Sequence, residues 1–181
     1  MFVRVLGSAA NGGLPQWDCY CRNCVMARRG LIGRRGQSCI AVSGDGRGWY
    51  LIDASPDLRR QLEGVLDLQF MGGIRGTVIK GVLLTHAHVD HTLGLLACSE
   101  LIERYGIRIY CTREVKQRLF QGNELFRQLF MVRDVDEVVC EVELDREEEI
   151  VGRICVDGRV VEEDSGMFFE AFSVPHRNEP T

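Results

Sequence analysis

Three of the chain's four histidines stand within six residues, from His86 to His91, and an aspartate lies among them. Several imidazoles and a carboxylate are costly to hold this close together unless they share a cation. Imidazole and carboxylate groups are also common protein ligands of Zn²⁺ and other transition metals. The spacing therefore predicts a metal centre in which Asp90 is also the candidate catalytic carboxylate. Its candidate ligands are His86, His88, Asp90, His91 and the more distant His176.

The arrangement of this cluster favours two cations. His86 and His88 are one residue apart and can hold one cation from one side of a loop, while Asp90 and His91 can hold a second. Two neighbouring cations can activate a shared water molecule and stabilise an oxyanion. His176 follows an expected strand and can complete the first ligand set, but a single histidine there also has an ordinary structural explanation.

A second cluster consists of Cys19, Cys21 and Cys24, in a region from about 8 to 36 that we expect to be a loop. Three thiolates this close can bind one soft cation, and zinc prefers tetrahedral sulfur and nitrogen ligands. The cluster thus predicts a structural zinc ion whose fourth ligand lies elsewhere, with an unrelated group of loop cysteines as the alternative. Four other cysteines lie in or beside apolar segments and are expected to be small buried residues: Cys39, Cys98, Cys111 and Cys140.

Alternating strands and helices must position these clusters. A buried strand from Val78 to Leu84 delivers the histidines to its carboxyl end, where ligand sites collect. The strand before it ends at Asp53, whose carboxylate is a candidate to orient a ligating imidazole; a polar strand end or a helix cap is the alternative. The expected strands are 2–6, 38–42, 49–52, 78–84, 107–111, 138–144, 150–156 and 167–174, and the expected helices are 56–66, 92–105 and 114–131, the last interrupted near Gly122.

Local turn signals refine this pattern. Asp45 and Gly46 predict a hairpin between the second and third strands. Ser55 as the cap and Pro56 as the first helical residue predict a helix start. Hairpins followed by strand–helix–strand units predict an α/β sandwich.

The composition narrows the functions to consider. The 181 residues are 45% apolar and 27% charged, which is typical of a globular protein. A net charge of −4 does not favour nucleic-acid binding, although the arginines between Arg22 and Arg35 are a local alternative. No apolar run reaches the ~20 residues that a membrane helix needs, and the N-terminus lacks the layout of a secretory signal, so we expect a cytoplasmic protein.

The set of His86, His88, Asp90 and His91 resembles the metal motif of the metallo-β-lactamase superfamily. The segments that end at Asp53 and His176 are similar to strand-end motifs of the same superfamily, in the same order along the chain. The resemblance implies an αββα sandwich, of which this chain is expected to hold the N-terminal half to two thirds.

The region from Gly7 to Cys24 resembles, more narrowly, the family of coenzyme PQQ synthesis protein B. Its Gly-Ser-Ala-Ala start, its Pro-Gln-Trp and its cysteine cluster are that family's combination. The resemblance implies that the cysteines hold a structural zinc ion completed by a ligand from the C-terminal part. Many members of that family lack one or more histidines of the metal motif, whereas this chain keeps the set, as hydrolases of the superfamily do.

The superfamily pattern also includes a bridging aspartate and a final histidine, and neither can be identified in this chain. The sequence stops at Thr181, five residues past His176. We therefore expect a C-terminally truncated chain that forms a single, incomplete domain over residues 1–181.

Three functions are compatible with these features. The resemblance implies a metal-dependent protein of pyrroloquinoline quinone (PQQ) biosynthesis that acts on or carries PQQ or its tyrosine-derived precursor. The intact histidine set favours, as an alternative, a phosphodiester hydrolase that uses water activated by two metals. A non-catalytic carrier on the same fold is the third hypothesis. We expect a structural Zn²⁺ in the cysteine loop, one or two Zn²⁺ or Fe²⁺ ions at the histidine cluster, and a small-molecule or short-peptide substrate, with a homodimer left open.

Overall fold

A six-stranded mixed sheet forms the centre of the fold. The computed structural model describes residues 1–121, 123–127 and 134–142, and the backbone pairing of residues 155–156, 159–160, 175–176 and 179–180. The six strands lie side by side in the order in which they occur along the chain. They are β1 (Phe2–Gly7), β2 (Cys39–Ser43), β3 (Trp49–Ile52), β4 (Ile79–Leu83), β5 (Arg108–Cys111) and β6 (Val139–Glu141). The predicted α/β fold is confirmed.

The direction of pairing changes in the middle of the sheet. β1, β2 and β3 pair antiparallel, whereas β3, β4, β5 and β6 pair parallel. The predicted hairpin joins β2 to β3, and the Asp45 carboxylate accepts hydrogen bonds from the backbone N–H groups of Arg47 and Gly48. These bonds hold the pKa of Asp45 below its usual range. Because parallel strands end at the same edge, the segments that follow β3, β4 and β5 lie close together.

The helices cover one face of this sheet. Side chains from β3, β4 and β5, such as Leu51, Val82 and Ile109, are fully buried against residues of these helices. Burying one such side chain contributes about 1.5–3 kcal/mol, so this layer holds the strand ends rigidly. The helices are α1 (Arg22–Arg28), α2 (Leu58–Glu63), α3 (Val89–Thr92), α4 (Gly94–Ala97), α5 (Glu100–Glu103), α6 (Arg113–Phe120), α7 (Glu124–Arg127) and α8 (Val135–Val138), of which α1 lies outside the layer.

The opposite face carries a smaller apolar cluster around Tyr50 and Tyr110, both buried. The second sheet and helix layer of the expected sandwich are not among the residues that the structure describes. Two short antiparallel pairs are described through their backbones: β7 (Cys155–Val156) with β8 (Arg159–Val160), and β9 (Pro175–His176) with β10 (Glu179–Pro180). The expected strand 167–174 lies outside the described residues, and the single incomplete domain stays a prediction. No helix in the described part is long and apolar enough to cross a membrane.

The sequence predicted a continuous loop over about 8–36. This prediction is wrong, because the region contains α1. This helix is only seven residues long, too short for a clear apolar period. It buries Cys24 and Ala27, three residues apart and therefore on the same side. The helix turns Cys24 inward while Cys21, just before it, stays extended and exposed.

The start predicted for the helix over 56–66 is also wrong, by two residues. α2 begins at Leu58, because the Ser55 carbonyl accepts a hydrogen bond from the backbone N–H of Leu58 and forms a separate turn. The Ser55 hydroxyl is buried and donates to Gln61 Oε1 at 3.0 Å, and the residue that directly precedes α2 is Asp57, so Ser55 is not its cap. This helix ends at Glu63, before the predicted Leu66.

The single helix predicted over 92–105 is three short helices, α3, α4 and α5. Gly94 N donates to Ala54 O at 2.8 Å, which ties this segment to the end of β3. Cys98, with φ −127° and ψ 42°, ends α4. The predicted interruption near Gly122 is confirmed, since Gln121 is extended between α6 and α7; residues 128–131 of that prediction lie outside the description.

Candidate metal centres

The histidine cluster occupies the loop at the carboxyl end of β4. His88 is extended, with φ −68° and ψ 147°, and α3 begins at the next residue. His86 and His88 therefore lie in the loop, while Asp90 and His91 lie in the single turn of α3. This placement follows the prediction that a rigid strand delivers the histidines to its carboxyl end.

The structure brings the side chains of this cluster together. The ring centroid of His86 lies 4.6 Å from that of His88 and 4.1 Å from that of His91. An Asp90 carboxylate oxygen lies 3.5 Å from His91 Nε2. His86, Asp90 and His91 are half-buried, whereas His88 is exposed, so the cluster can be reached from solvent. Their role as metal ligands stays a prediction.

His176 is the one candidate ligand that the structure does not place against the others. It lies on β9, but its side chain is outside the part of the chain that the structure describes. Its proposed role in completing the first ligand set therefore stays a prediction.

Asp53 lies directly beneath the cluster, at the end of β3. Its backbone adopts a left-handed conformation, with φ 64°, which is uncommon for a residue other than glycine. The N–H of Asp53 donates to Leu83 O at 2.8 Å, and its carbonyl accepts from Cys39 Sγ at 3.2 Å. These two bonds hold the unusual backbone, and strain of this kind tends to occur at functional sites.

The buried Asp53 carboxylate meets His91 from this position. His91 Nδ1 lies 2.7 Å from Asp53 Oδ2, and a carboxylate can only accept, so the imidazole donates. This hydrogen bond raises the pKa of His91, against the opposite effect of burial. In the neutral ring the lone pair is then on Nε2, on the side of Asp90. A ligating histidine commonly donates its other nitrogen to a carboxylate, so the contact fits the orienting role predicted for Asp53.

Gly94 allows α3 and α4 to approach the end of β3, and sequence reasoning did not identify it. A Cβ at this position would lie 2.2 Å from Ser55 O and 2.8 Å from Ala54 O, both backbone atoms. A hydrogen bond also joins the two segments, since Ala54 N donates to His91 O at 2.7 Å. The spacing of His91 and Gly94 was visible in the sequence, but the close approach depends on β3, which is distant along the chain.

The three cysteines form a compact cluster of their own. Their sulfur atoms lie within 4.8 Å of one another; Cys21 is exposed, Cys19 is half-buried and Cys24 is buried. A hydrogen bond from the backbone N–H of Cys24, with further help from the neighbouring thiols, lowers the pKa of Cys21 to about 7. A thiolate is the form that binds metal, so this cluster has the chemistry that a zinc site needs.

Arg28 organises the backbone around these cysteines. Its guanidinium donates to the carbonyls of Gln16, Trp17 and Cys19, the Trp17 contact at 3.1 Å, and lies 4.9 Å from the ring centre of Tyr20. Nothing in the sequence separates Arg28 from the other arginines between Arg22 and Arg35. Its spacing from the cysteines carried no signal, because its partners are backbone atoms.

Both donor sets suit transition metals. Imidazole nitrogens with a carboxylate suit zinc or iron, and closely spaced thiolates suit zinc. The described residues of the histidine cluster have their supporting hydrogen bond already in place at His91, and the cysteine sulfurs already converge. The chemistry of the donors therefore fits a transition metal at each cluster, with zinc at the cysteines and either zinc or iron at the histidines.

The sequence of this chain is similar to those of known proteins. The model of the Beta-lactamase superfamily domain matches residues 48–180. Coenzyme PQQ synthesis protein B of Azoarcus sp. (strain BH72) is 47% identical over 128 residues, and that of Klebsiella pneumoniae (strain 342) is 44% identical over 131 residues. These matches take 70% and 71% of this chain but only 41% and 42% of the relatives, so the chain spans less than half of their length.

A solved structure is similar as well. It is the Zn²⁺-bound PqqB from Methylobacterium extorquens, determined at 1.98 Å, which is 38% identical in sequence with a TM-score of 0.65. The similarity covers 76% of this chain and 44% of that one.

Proposed function

The chain belongs to the beta-lactamase superfamily, and from that premise we propose that the protein is a metal-dependent component of PQQ biosynthesis. It acts on or carries PQQ or its tyrosine-derived precursor. The observation that carries the proposal is the identity of 47% and 44% to two coenzyme PQQ synthesis proteins B. Each match takes at least 70% of the chain, so wherever it begins it includes the central histidine cluster.

The histidine cluster is the proposed working site. His86, His88, Asp90 and His91 would hold one or two metal ions, with His176 as a further ligand. A bound metal supplies Lewis acidity and, if it is iron, redox chemistry. Asp53 keeps the His91 ring in one orientation through the 2.7 Å hydrogen bond. Asp90, 3.5 Å from His91 Nε2, places a second carboxylate where it can bind metal or accept a proton.

The cysteine cluster is proposed to be structural. Cys19, Cys21 and Cys24 would hold one zinc ion together with a fourth ligand from another part of the protein. The converged sulfurs and the lowered pKa of Cys21 support this role. The zinc would fix the region before β2 without taking part in the reaction.

The proposed partner is a small molecule or a short peptide. His88 is exposed, so a ligand can reach the histidine cluster from solvent. A homodimer and a cytoplasmic location remain proposals that rest on the sequence.

Complementation tests the assignment. The gene for this protein is introduced into a bacterium that lacks its own coenzyme PQQ synthesis protein B, and PQQ is measured by mass spectrometry. We expect wild type to restore PQQ and His91→Ala to fail. Arg59→Ala, which removes only an exposed ion pair with Glu63, is the control and is expected to restore PQQ. A folded, metal-loaded wild type that yields no PQQ would contradict the proposal.

The intact set of His86, His88, Asp90 and His91 favours one alternative, a phosphodiester hydrolase. Purified protein loaded with Zn²⁺ or Mn²⁺ is assayed for release of nitrophenolate from bis(4-nitrophenyl) phosphate. Turnover that disappears in His91→Ala, together with failed complementation, would establish the hydrolase instead. Complementation that survives in His91→Ala would point to a carrier that does not use the metal.

A further inference from the structure

We propose that Thr85 is a positioning residue whose hydroxyl links Asp53 to His86, so that one carboxylate orients two of the candidate metal ligands. The inference rests on the metal-binding part of the proposed function. It concerns which ring nitrogen of His86 is available to a metal, and this is a property of the metal-free protein as well.

The contacts form a continuous chain of hydrogen bonds. Thr85 Oγ1 lies 2.9 Å from Asp53 Oδ1 and 3.0 Å from Asp53 Oδ2. The same hydroxyl lies 2.8 Å from His86 Nδ1. Thr85 N also donates to Asp53 Oδ1 at 2.9 Å, which fixes the position of the threonine relative to the carboxylate. On its other side, Asp53 Oδ2 meets His91 Nδ1.

Counting protons gives the direction of each bond. An ionised carboxylate offers only acceptors, and a threonine hydroxyl has a single proton. The Thr85 proton therefore goes to Asp53, and the hydroxyl has only its lone pairs left for His86. The short contact with His86 then requires a proton on Nδ1 of the imidazole.

This proton places the lone pair of neutral His86 on Nε2. The direct contact with Asp53 does the same for His91, so both rings present the same nitrogen. The centroids of the His86 and His91 rings are 4.1 Å apart. The two rings therefore lie side by side and are supported by the same carboxylate. Asp53 thus acts on His91 directly and on His86 through Thr85.

Two substitutions separate the hydroxyl from the shape of the side chain. Thr85→Val keeps the branched shape and removes the hydroxyl, whereas Thr85→Ser keeps the hydroxyl. Thr85 is exposed, so neither change empties the core. Loss of a hydrogen-bonding partner behind a metal ligand typically lowers metal affinity by about 10- to 100-fold. We expect Thr85→Val to weaken Zn²⁺ binding about tenfold and Thr85→Ser to stay within about threefold of wild type.

Zn²⁺ affinity is measured by chelator competition in a Cys21→Ser background, which removes the signal of the cysteine cluster. The second readout is the ¹⁵N spectrum of the histidine rings in the metal-free protein at pH 8. We expect His86 to carry its proton on Nδ1 in wild type and Thr85→Ser, and to shift towards Nε2–H in Thr85→Val.

The outcomes distinguish this inference from the proposed function. Wild type without Zn²⁺ binding at the histidines would overturn the metal-dependent function, while the ¹⁵N spectrum would still decide the role of Thr85. A wild-type His86 protonated on Nε2, or Thr85→Val with unchanged affinity and unchanged ring protonation, would overturn the role of Thr85. If Thr85→Val does not fold, the wild-type spectrum alone decides.

Discussion

The two candidate metal sites differ in how far along the chain their parts lie. The cysteine cluster takes its three sulfurs from residues 19–24, and its support from Arg28, a few residues away. Four of the candidate ligands of the histidine cluster come from residues 86–91, but their support comes from Asp53, directly after the neighbouring strand β3. The three cysteine ligands are therefore brought together locally, whereas the histidine site exists only when β3 and β4 are paired.

This difference predicts that the two sites can be damaged separately. A change in the contact between β3 and the α3–α4 region should remove the histidine site and spare the cysteine site. A change near Arg28 should do the opposite.

Gly94→Ala should be the most damaging substitution. Its Cβ would lie 2.2 Å from Ser55 O, a backbone atom that cannot move without shifting the end of β3. We expect the free energy of unfolding to fall by about 3 kcal/mol and metal binding at the histidines to be lost. Chemical denaturation and metal analysis are the measurements.

Gly33→Ala is the matched control, because a Cβ there has no atom within 4 Å and its φ is not left-handed. We expect it to change the free energy of unfolding by less than about 0.5 kcal/mol. If the cysteine zinc is lost together with the histidine metal in folded Gly94→Ala, the two sites are not separate.

Asp53→Asn should damage the histidine site without disturbing the backbone. Asparagine tolerates the left-handed conformation that Asp53 adopts, but its NH₂ group cannot accept the proton of His91. We expect metal affinity at the histidines to fall about 10- to 100-fold, and the cysteine site to keep its zinc. Titration calorimetry measures the first and metal stoichiometry the second. Equal losses at both sites would argue against the separation.

Cys21 offers a test by pH. Its pKa is lowered to about 7, so its thiolate is present above that pH and disappears as the pH falls through it. The rate at which iodoacetamide alkylates Cys21 in the metal-free protein should therefore rise with pH, with a midpoint near pH 7. Mass spectrometry of peptides measures this rate. Added Zn²⁺ should suppress the reaction.

Cys111 is the comparison for this experiment. Burial raises the pKa of its thiol to about 12, so it should not react near neutral pH while the protein is folded. A Cys21 midpoint near pH 9, the value of an ordinary thiol, would show that the cysteines are not arranged as the structure has them.

Arg28→Met should have the smallest effect. It removes the hydrogen bonds to the carbonyls around the cysteines, while the apolar stem remains. We expect a loss of about 1 kcal/mol in zinc binding at the cysteines and no change at the histidines. Arg29→Met, at an exposed neighbouring position, is the control and should behave as wild type. Equal effects of the two substitutions on chelator competition would remove the role assigned to Arg28.

The sequence predicted the parts of the fold that depend on local order. The strands that flank the histidines, the hairpin at Asp45 and the break after Phe120 all agree with the structure. The histidine cluster was predicted at a strand end, and Asp53 was assigned an orienting role, because both follow apolar strands. Short spacing was enough to find both clusters.

The features that the sequence did not predict depend on contacts between distant segments. Gly94 matters because of Ser55, and the Ser55 hydroxyl does not cap a helix because Gln61 takes its hydrogen bond. The helix predicted over 92–105 is broken where α4 is tied to the end of β3. None of these contacts produces a periodic pattern of residue types from which it could be predicted.

The order of the strands has a consequence for folding. Each strand from β2 to β6 pairs with the strand that precedes it in the chain, so each new strand finds its neighbour already made when the chain is synthesised from its N-terminus. Asp53, directly after β3, therefore emerges before the histidines that follow β4. The supporting carboxylate is therefore synthesised before the side chains that it orients, and the pairing of β4 with β3 brings them together.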